Sequence, residues 1–98
     1  MDFFLKNVRE TLEALNKLID NNVYIVNCKR IRRCNNVKSS DRSKINFIWR
    51  SLKLLNREGI LEKNGISNPN TYTIKPRGKI DIEALLKEIR TNKDNKEL

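Results

Sequence analysis

The amphipathic stretch at residues 38–63, KSSDRSKINFIWRSLKLLNREGILEK, constrains the fold more than any other part of the chain. Apolar residues recur there at steps of three, four and three, a spacing that places them on one side of an α-helix. The residues with this spacing are Ile45, Ile48, Leu52 and Leu55. Gly59 suits the left-handed position that ends a helix, and residues 60–63 continue as a short strand. The pattern therefore predicts a helix over about 40–58 that leads directly into a strand. Ser39, Ser40 or Asp41 can cap its amino end, because each side chain can accept hydrogen bonds from free backbone N–H groups.

The other side of this predicted helix is cationic. From Arg42 to Arg57 there are five basic residues and no acidic residue, whereas a solvated surface helix usually mixes both signs of charge. An apolar back and a cationic front favour a helix that rests on a core and faces a polyanion. A solvated face that happens to be basic is the alternative interpretation.

The net charge of +9 is concentrated in the same part of the chain. Residues 27–63 contain eleven bases and three acids, while residues 1–26 contain three bases and four acids. Since self-repulsion opposes a compact fold, a localised excess of this size indicates an acidic partner.

The rest of the chain predicts one domain over residues 1–90. A helix is expected at 2–19, where a wide apolar stripe fits either core packing alone or core packing with a dimer contact. A strand at 23–26, a short helix at 28–34 capped by Asn27, and a turn at 35–37 should follow. Strands at 60–63 and 71–75 should form a protruding hairpin around the loop 64–70. A last helix at about 81–90 must dock on its own domain or on a second subunit, and a charged, frayed tail is expected at 91–98.

Several classes of site have no support in the sequence. The chain has no histidine, no nucleophile motif and no phosphate-binding glycine loop, so we expect no catalytic residues, no cofactor and no small-molecule ligand. Cys28 and Cys34 are most simply small buried hydrophobic residues, about 9 Å apart along a helix and therefore too distant for a disulfide. A metal site would need ligands from a second chain.

The chain is expected to be intracellular and cytoplasmic. No apolar run approaches the ~20 residues that span a bilayer. The amino-terminal residues are charged within a helical pattern, unlike a signal peptide. Two cysteines are too few for a secreted disulfide scaffold.

The order of these elements resembles that of the winged helix-turn-helix DNA-binding superfamily. The resemblance is carried by VNCKRIRRCNNV for the second helix and turn, and by IWRSLKLLNREGILEKNGISNPNTYTIKP for the recognition helix and wing. Within it, Leu52, Leu55 and Gly59 look like the end of many recognition helices. The implied fold is mainly α with a small antiparallel β-hairpin, in the order α-β-α-α-β-β-α.

The resemblance implies that the helix at 40–58 enters the major groove of double-stranded DNA. The residues placed at base edges are Arg42, Ser43, Asn46, Phe47 and Arg50, with packing against the wing or a partner helix as the alternative for Phe47. The residues placed at phosphates are Lys29, Arg30, Arg33, Lys44, Lys53, Lys63 and Lys75. The predicted wing tip, residues 64–70, has no arginine or lysine.

The implied function is that of a small sequence-specific transcription regulator associated with the nucleoid, forming a homodimer through the helices at 2–19 and 81–90. One alternative is an architectural or replication-associated protein that binds DNA without reading its sequence. Another is a winged helix used as a protein-interaction module, whose basic face would meet an acidic protein.

Overall fold

The computed structural model describes residues 3–64 and 71–96, and it contains four helices and three strands in the predicted order. The helices are α1 (Phe3–Asp20), α2 (Cys28–Cys34), α3 (Arg42–Arg57) and α4 (Ile82–Lys96). The strands are β1 (Ile25–Val26), β2 (Leu61–Lys63) and β3 (Tyr72–Ile74). The prediction of a mainly helical fold with a small antiparallel β component is confirmed.

The β component is a three-stranded antiparallel sheet in the order β1-β3-β2, rather than a two-stranded hairpin. β1 joins the hairpin through the register Ile25↔Thr73, and the Ile74 amide donates a further hydrogen bond to the Tyr24 carbonyl at 2.7 Å. At the base of the hairpin the Asn64 amide donates to the Thr71 carbonyl at 2.9 Å. The predicted protruding loop falls mostly on residues 65–70, which lie outside the described residues.

Local capping groups fix where α2 and α3 begin. The Asn27 side chain accepts a hydrogen bond from the Arg30 amide at 2.9 Å, as predicted for the start of α2. Of the three candidate caps for α3, Asp41 fills the role, because its carboxylate accepts from the Lys44 amide at 3.1 Å. Between the two helices Asn36 adopts a positive φ of 55°, a conformation that asparagine tolerates better than most residues.

Gly59 makes the turn from α3 into β2 with a φ of +82°. The Ile60 amide then donates to the Leu55 carbonyl at 3.0 Å, which satisfies one of the free carbonyls at the end of the helix. A β-carbon at Gly59 would meet no atom within 4 Å, so the backbone conformation alone favours glycine here.

The core lies between α1, α3 and the inner face of the sheet. The apolar stripe predicted for α3 points into it, with Ile48, Leu52 and Leu55 buried. α1 contributes Leu12 and Leu15, which are fully buried within the single chain. The strands contribute a second set of fully buried side chains: Val26, Leu61 and Ile74. One face of α3 is therefore buried in the core, and the opposite face is exposed.

α4 extends further than the sequence predicted. The helix runs to Lys96, whereas the sequence placed its end near residue 90. The frayed tail expected at 91–98 stays a prediction. No glycine or proline lies between residues 79 and 98, and nothing in the sequence forces the helix to stop earlier.

α4 docks on its own domain. Its apolar face packs on α1 and buries Leu85, Leu86 and Ile89. The segment before α4 is tied down as well, because the Asn16 side chain donates to the Ile80 carbonyl and accepts from the Ile80 amide. The last helix was expected to dock either on its own domain or on a second subunit, and in the structure it docks on its own domain.

Candidate nucleic-acid interface

The exposed face of α3 carries most of the side chains predicted to contact bases. Positions three and four residues apart lie on the same side of a helix. Since the opposite side of α3 is buried, this side faces the solvent. The exposed residues of this row are Arg42, Ser43, Asn46, Arg50, Lys53 and Arg57, which we call the cationic row. It combines four guanidinium or ammonium groups with the amide of Asn46 and the hydroxyl of Ser43. Side chains of these types form hydrogen bonds with base edges and with phosphate oxygens in protein–DNA complexes.

The Arg50 guanidinium lies over two aromatic rings, and no carboxylate among the described residues forms an ion pair with it. Its Cζ atom lies 5.1 Å from the centroid of the Phe4 ring on α1 and 5.9 Å from that of the Phe47 ring on its own helix. These distances lie within the range of a cation–π interaction. The side chain nevertheless stays exposed at the surface.

Phe47 lies partly inside the protein. It is half-buried, and its carbonyl accepts a hydrogen bond from the buried Ser51 hydroxyl at 2.7 Å. Trp49 and Leu54 are also half-buried and pack against the core. Phe47 therefore combines partial packing with a ring beside Arg50, and its place at a base edge stays a prediction.

Lys44 is engaged with α1. Its ammonium nitrogen lies 2.9 Å from Oε2 of Glu10 and 3.3 Å from Oδ1 of Asn7. This ion pair joins the start of α3 to the middle of α1. Lys44 was predicted to contact a phosphate, but the structure turns it toward an internal partner, so its charge is already compensated.

Arg30 is the second predicted phosphate contact that has an internal partner. Its Nη1 atom donates to the Ile25 carbonyl at 2.6 Å. Ile25 lies on β1, at the edge of the sheet that no other described strand covers. The guanidinium thus occupies a backbone acceptor on an edge strand, which would otherwise be open to pairing.

The other predicted phosphate contacts are exposed and have no acidic partner in the described part of the chain. Ion pairs within 4.0 Å among the described side chains join Arg9 to Glu83, Lys44 to Glu10, and Lys79 to Asp20. Apart from Arg30, the predicted phosphate contacts that are exposed and lie outside these pairs are Lys29, Arg33, Lys53, Lys63 and Lys75. They lie on α2, α3 and the two hairpin strands or their ends, so uncompensated positive charge extends over several neighbouring elements.

Arg77 is a further exposed cation near the hairpin and was not among the predicted contacts. Its guanidinium lies 5.1 Å from the Tyr24 ring centroid, and the Tyr24 hydroxyl donates to the Arg77 carbonyl at 3.3 Å. The sequence alone places Arg77 shortly after the last predicted strand, but it does not predict the contact of Arg77 with Tyr24.

The two cysteines are free thiols. Cys28 is buried and Cys34 is half-buried, which fits their interpretation as packing residues. Burial raises the pKa of the Cys28 thiol, while the neighbouring charge of Arg32 lowers it by less. Among the described residues, no three cysteine, aspartate or glutamate side chains come together as a metal site.

Comparison with known proteins gives no relative. No protein-family model matches the chain, and neither a curated protein nor a solved structure matches it. Within the described residues, no helix combines the length and apolar character needed to cross a bilayer.

Proposed function

We propose that the chain is a winged helix-turn-helix domain that binds double-stranded DNA by placing α3 in the major groove. The observation that supports this most is the cationic row, which is exposed on a helix whose opposite face is buried in the core. A helix with side chains is about 10–12 Å across, and the major groove is about 12 Å wide. The row can therefore approach base edges without any rearrangement of the core.

The arrangement around α3 supports the same proposal. A short helix and a turn precede α3, and a hairpin follows it directly. The strand order β1-β3-β2 places the hairpin in a sheet anchored by the strand before α2. This connectivity agrees with the resemblance drawn from the sequence, in which the hairpin is the wing beside the recognition helix.

The proposed contacts divide into base reading and phosphate binding. Asn46 can pair with two atoms of adenine and Arg50 with two atoms of guanine, with Ser43 and Arg42 beside them. The proposed phosphate contacts are the five cations of the predicted set that have neither an ion pair nor a hydrogen-bond partner in the described part of the chain: Lys29, Arg33, Lys53, Lys63 and Lys75. These contacts supply affinity and register, while the bases supply sequence discrimination.

The proposed biological role is that of a small sequence-specific transcription regulator. A homodimer is the usual way for such a protein to read a two-fold site, and it stays a prediction here. The buried face of α4 is already covered by α1, so a dimer through these helices would have to use their exposed sides. Measurement of the molar mass in solution by light scattering tests this part.

Selection of bound duplexes from a random DNA pool, at low and at moderate salt, tests the proposal as a whole. The proposed function predicts enrichment of one short sequence, which should be lost when Asn46 and Arg50 are both replaced by alanine. Retention of DNA without enrichment would instead support an architectural role. No retention at either salt concentration would refute DNA binding and leave a protein-interaction module as the next hypothesis.

A further inference from the structure

We infer that Phe4 is a positioning residue that fixes the guanidinium of Arg50 for the recognition of a guanine base. This inference rests on the proposed function, and it adds a residue of α1 to the reading of DNA sequence by α3. Phe4 lies far from α3 in the sequence, and its ring centroid is 5.1 Å from the Arg50 Cζ atom.

The way in which Arg50 is held leaves its donors available. An aromatic ring attracts the positive charge of the guanidinium. Bidentate recognition of guanine instead uses the N–H groups at the edge of the guanidinium. Among the described residues, no hydrogen bond or ion pair of the Arg50 side chain is found. Arg9 and Arg30, in contrast, already donate to the Glu83 carboxylate and to the Ile25 carbonyl.

The two rings come from different elements, and this restricts the side chain more than either ring alone. Phe47 precedes Arg50 by three residues, so its ring lies beside the arginine on the same face of α3. Phe4 approaches from α1 and is itself packed against the core. A long arginine side chain loses considerable rotamer freedom when it binds, and partial ordering before binding lowers that loss.

The expected consequence is specific to one base pair. With Phe4 in place, Arg50 should discriminate in favour of guanine at the position it contacts. Without the Phe4 ring, Arg50 keeps its charge and its attraction to DNA, but samples more orientations. The general affinity for duplex DNA should therefore persist while the preference at this single position weakens.

The test compares Phe4→Leu with Phe4→Tyr in the full chain. Leucine keeps an apolar side chain but has no ring, and tyrosine keeps the ring. Affinities would be measured for the selected duplex, for its three variants at the base pair that depends on Arg50, and for a random duplex. Arg50→Ala identifies that base pair, because alanine has no donor for guanine, and Arg50→Lys, which keeps the charge but lacks the planar fork of N–H donors, is the charge control. Thermal unfolding of each variant reports whether the fold is intact.

We expect Phe4→Leu to reduce discrimination at this base pair by about two- to fivefold, the range expected for an exposed cation–π contact. Its affinity for the random duplex should stay unchanged, and Phe4→Tyr should retain the discrimination of the wild type. Unchanged discrimination in Phe4→Leu would overturn the inference, and so would an equal loss of affinity for all duplexes. A wild-type protein without any base preference would refute sequence-specific recognition itself, before any variant is compared.

Discussion

Replacing Lys53 with glutamine should flatten the salt dependence of DNA binding more than the same replacement at Lys44. Both residues are lysines on α3, so the two substitutions remove the same charge from the same helix. They differ in their surroundings, because Lys44 is paired with Glu10 at 2.9 Å, whereas Lys53 is exposed without an ion-pair partner among the described side chains. Only the uncompensated cation should release a counterion when it replaces salt ions at a phosphate.

The size of the effect follows from the number of cations that contact phosphates. Of the seven predicted contacts, Lys44 is paired with Glu10 and the Arg30 guanidinium is turned to the Ile25 carbonyl, so five are counted as phosphate contacts. At about 0.9 counterions per phosphate, the slope of log K against log salt should be about −4.5. A fourfold rise in salt then lowers affinity by roughly 500-fold. Lys53→Gln should bring the slope to about −3.6 and the loss to roughly 150-fold, while Lys44→Gln should stay near the wild-type slope.

The assay is a fluorescence anisotropy titration of one labelled duplex at four or more salt concentrations. Thermal unfolding of both variants is the control, since loss of the bond between Lys44 and Glu10 can loosen the packing of α3 on α1. Equal slopes for the two folded variants would refute the distinction between compensated and free cations. A wild-type slope near zero would refute phosphate contact by the cationic surface altogether.

Three further predictions concern the fold that supports this surface. Leu52→Ala should lower the free energy of unfolding, measured in urea, by about 2–5 kcal/mol, because Leu52 is fully buried. A loss below about 0.5 kcal/mol is typical of surface substitutions and would contradict the place of Leu52 in the core. Gly59→Ala should cost about 1–2 kcal/mol in the same assay through its positive φ alone, and an unchanged stability would show that the turn can relax. The hydrogen bond from Arg9 lowers the pKa of the Glu83 carboxyl, so its stabilisation is present above the ordinary pKa and is lost as the pH falls through the lowered value. Glu83→Gln should therefore weaken the acid sensitivity of unfolding between neutral and acidic pH, and parallel curves for variant and wild type would refute this.

The helices were predictable because their signals are local. The spacing of Ile48, Leu52 and Leu55 places them on one face of a helix whatever the tertiary structure, and that face is buried. The cap at Asn27 and the turn at Gly59 depend only on neighbouring backbone groups. The exposure of the cationic row follows directly from the burial of the opposite face.

The contacts between elements were not predictable in the same way. The pairing of Lys44 with Glu10 and the approach of Phe4 to Arg50 depend on how α1 crosses α3, which no periodicity encodes. The pairing of β1 with β3 likewise joins residues that are far apart in the sequence, such as Ile25 and Thr73. The polar residues after 90 carry no apolar repeat that would predict a helix, although they contain no glycine or proline, and the structure continues α4 to Lys96.

The most direct measurement of the proposed binding surface is an NMR titration of the isotopically labelled chain with a short DNA duplex. DNA binding through α3 predicts that the largest amide shift changes fall on the exposed side of α3, at Ser43, Asn46 and Arg50, with smaller changes on α2 and near the hairpin strands. The amides of α4 around Leu86 should change little, since α4 packs on α1. Changes concentrated on α4, or none at all at low salt, would contradict DNA binding through α3.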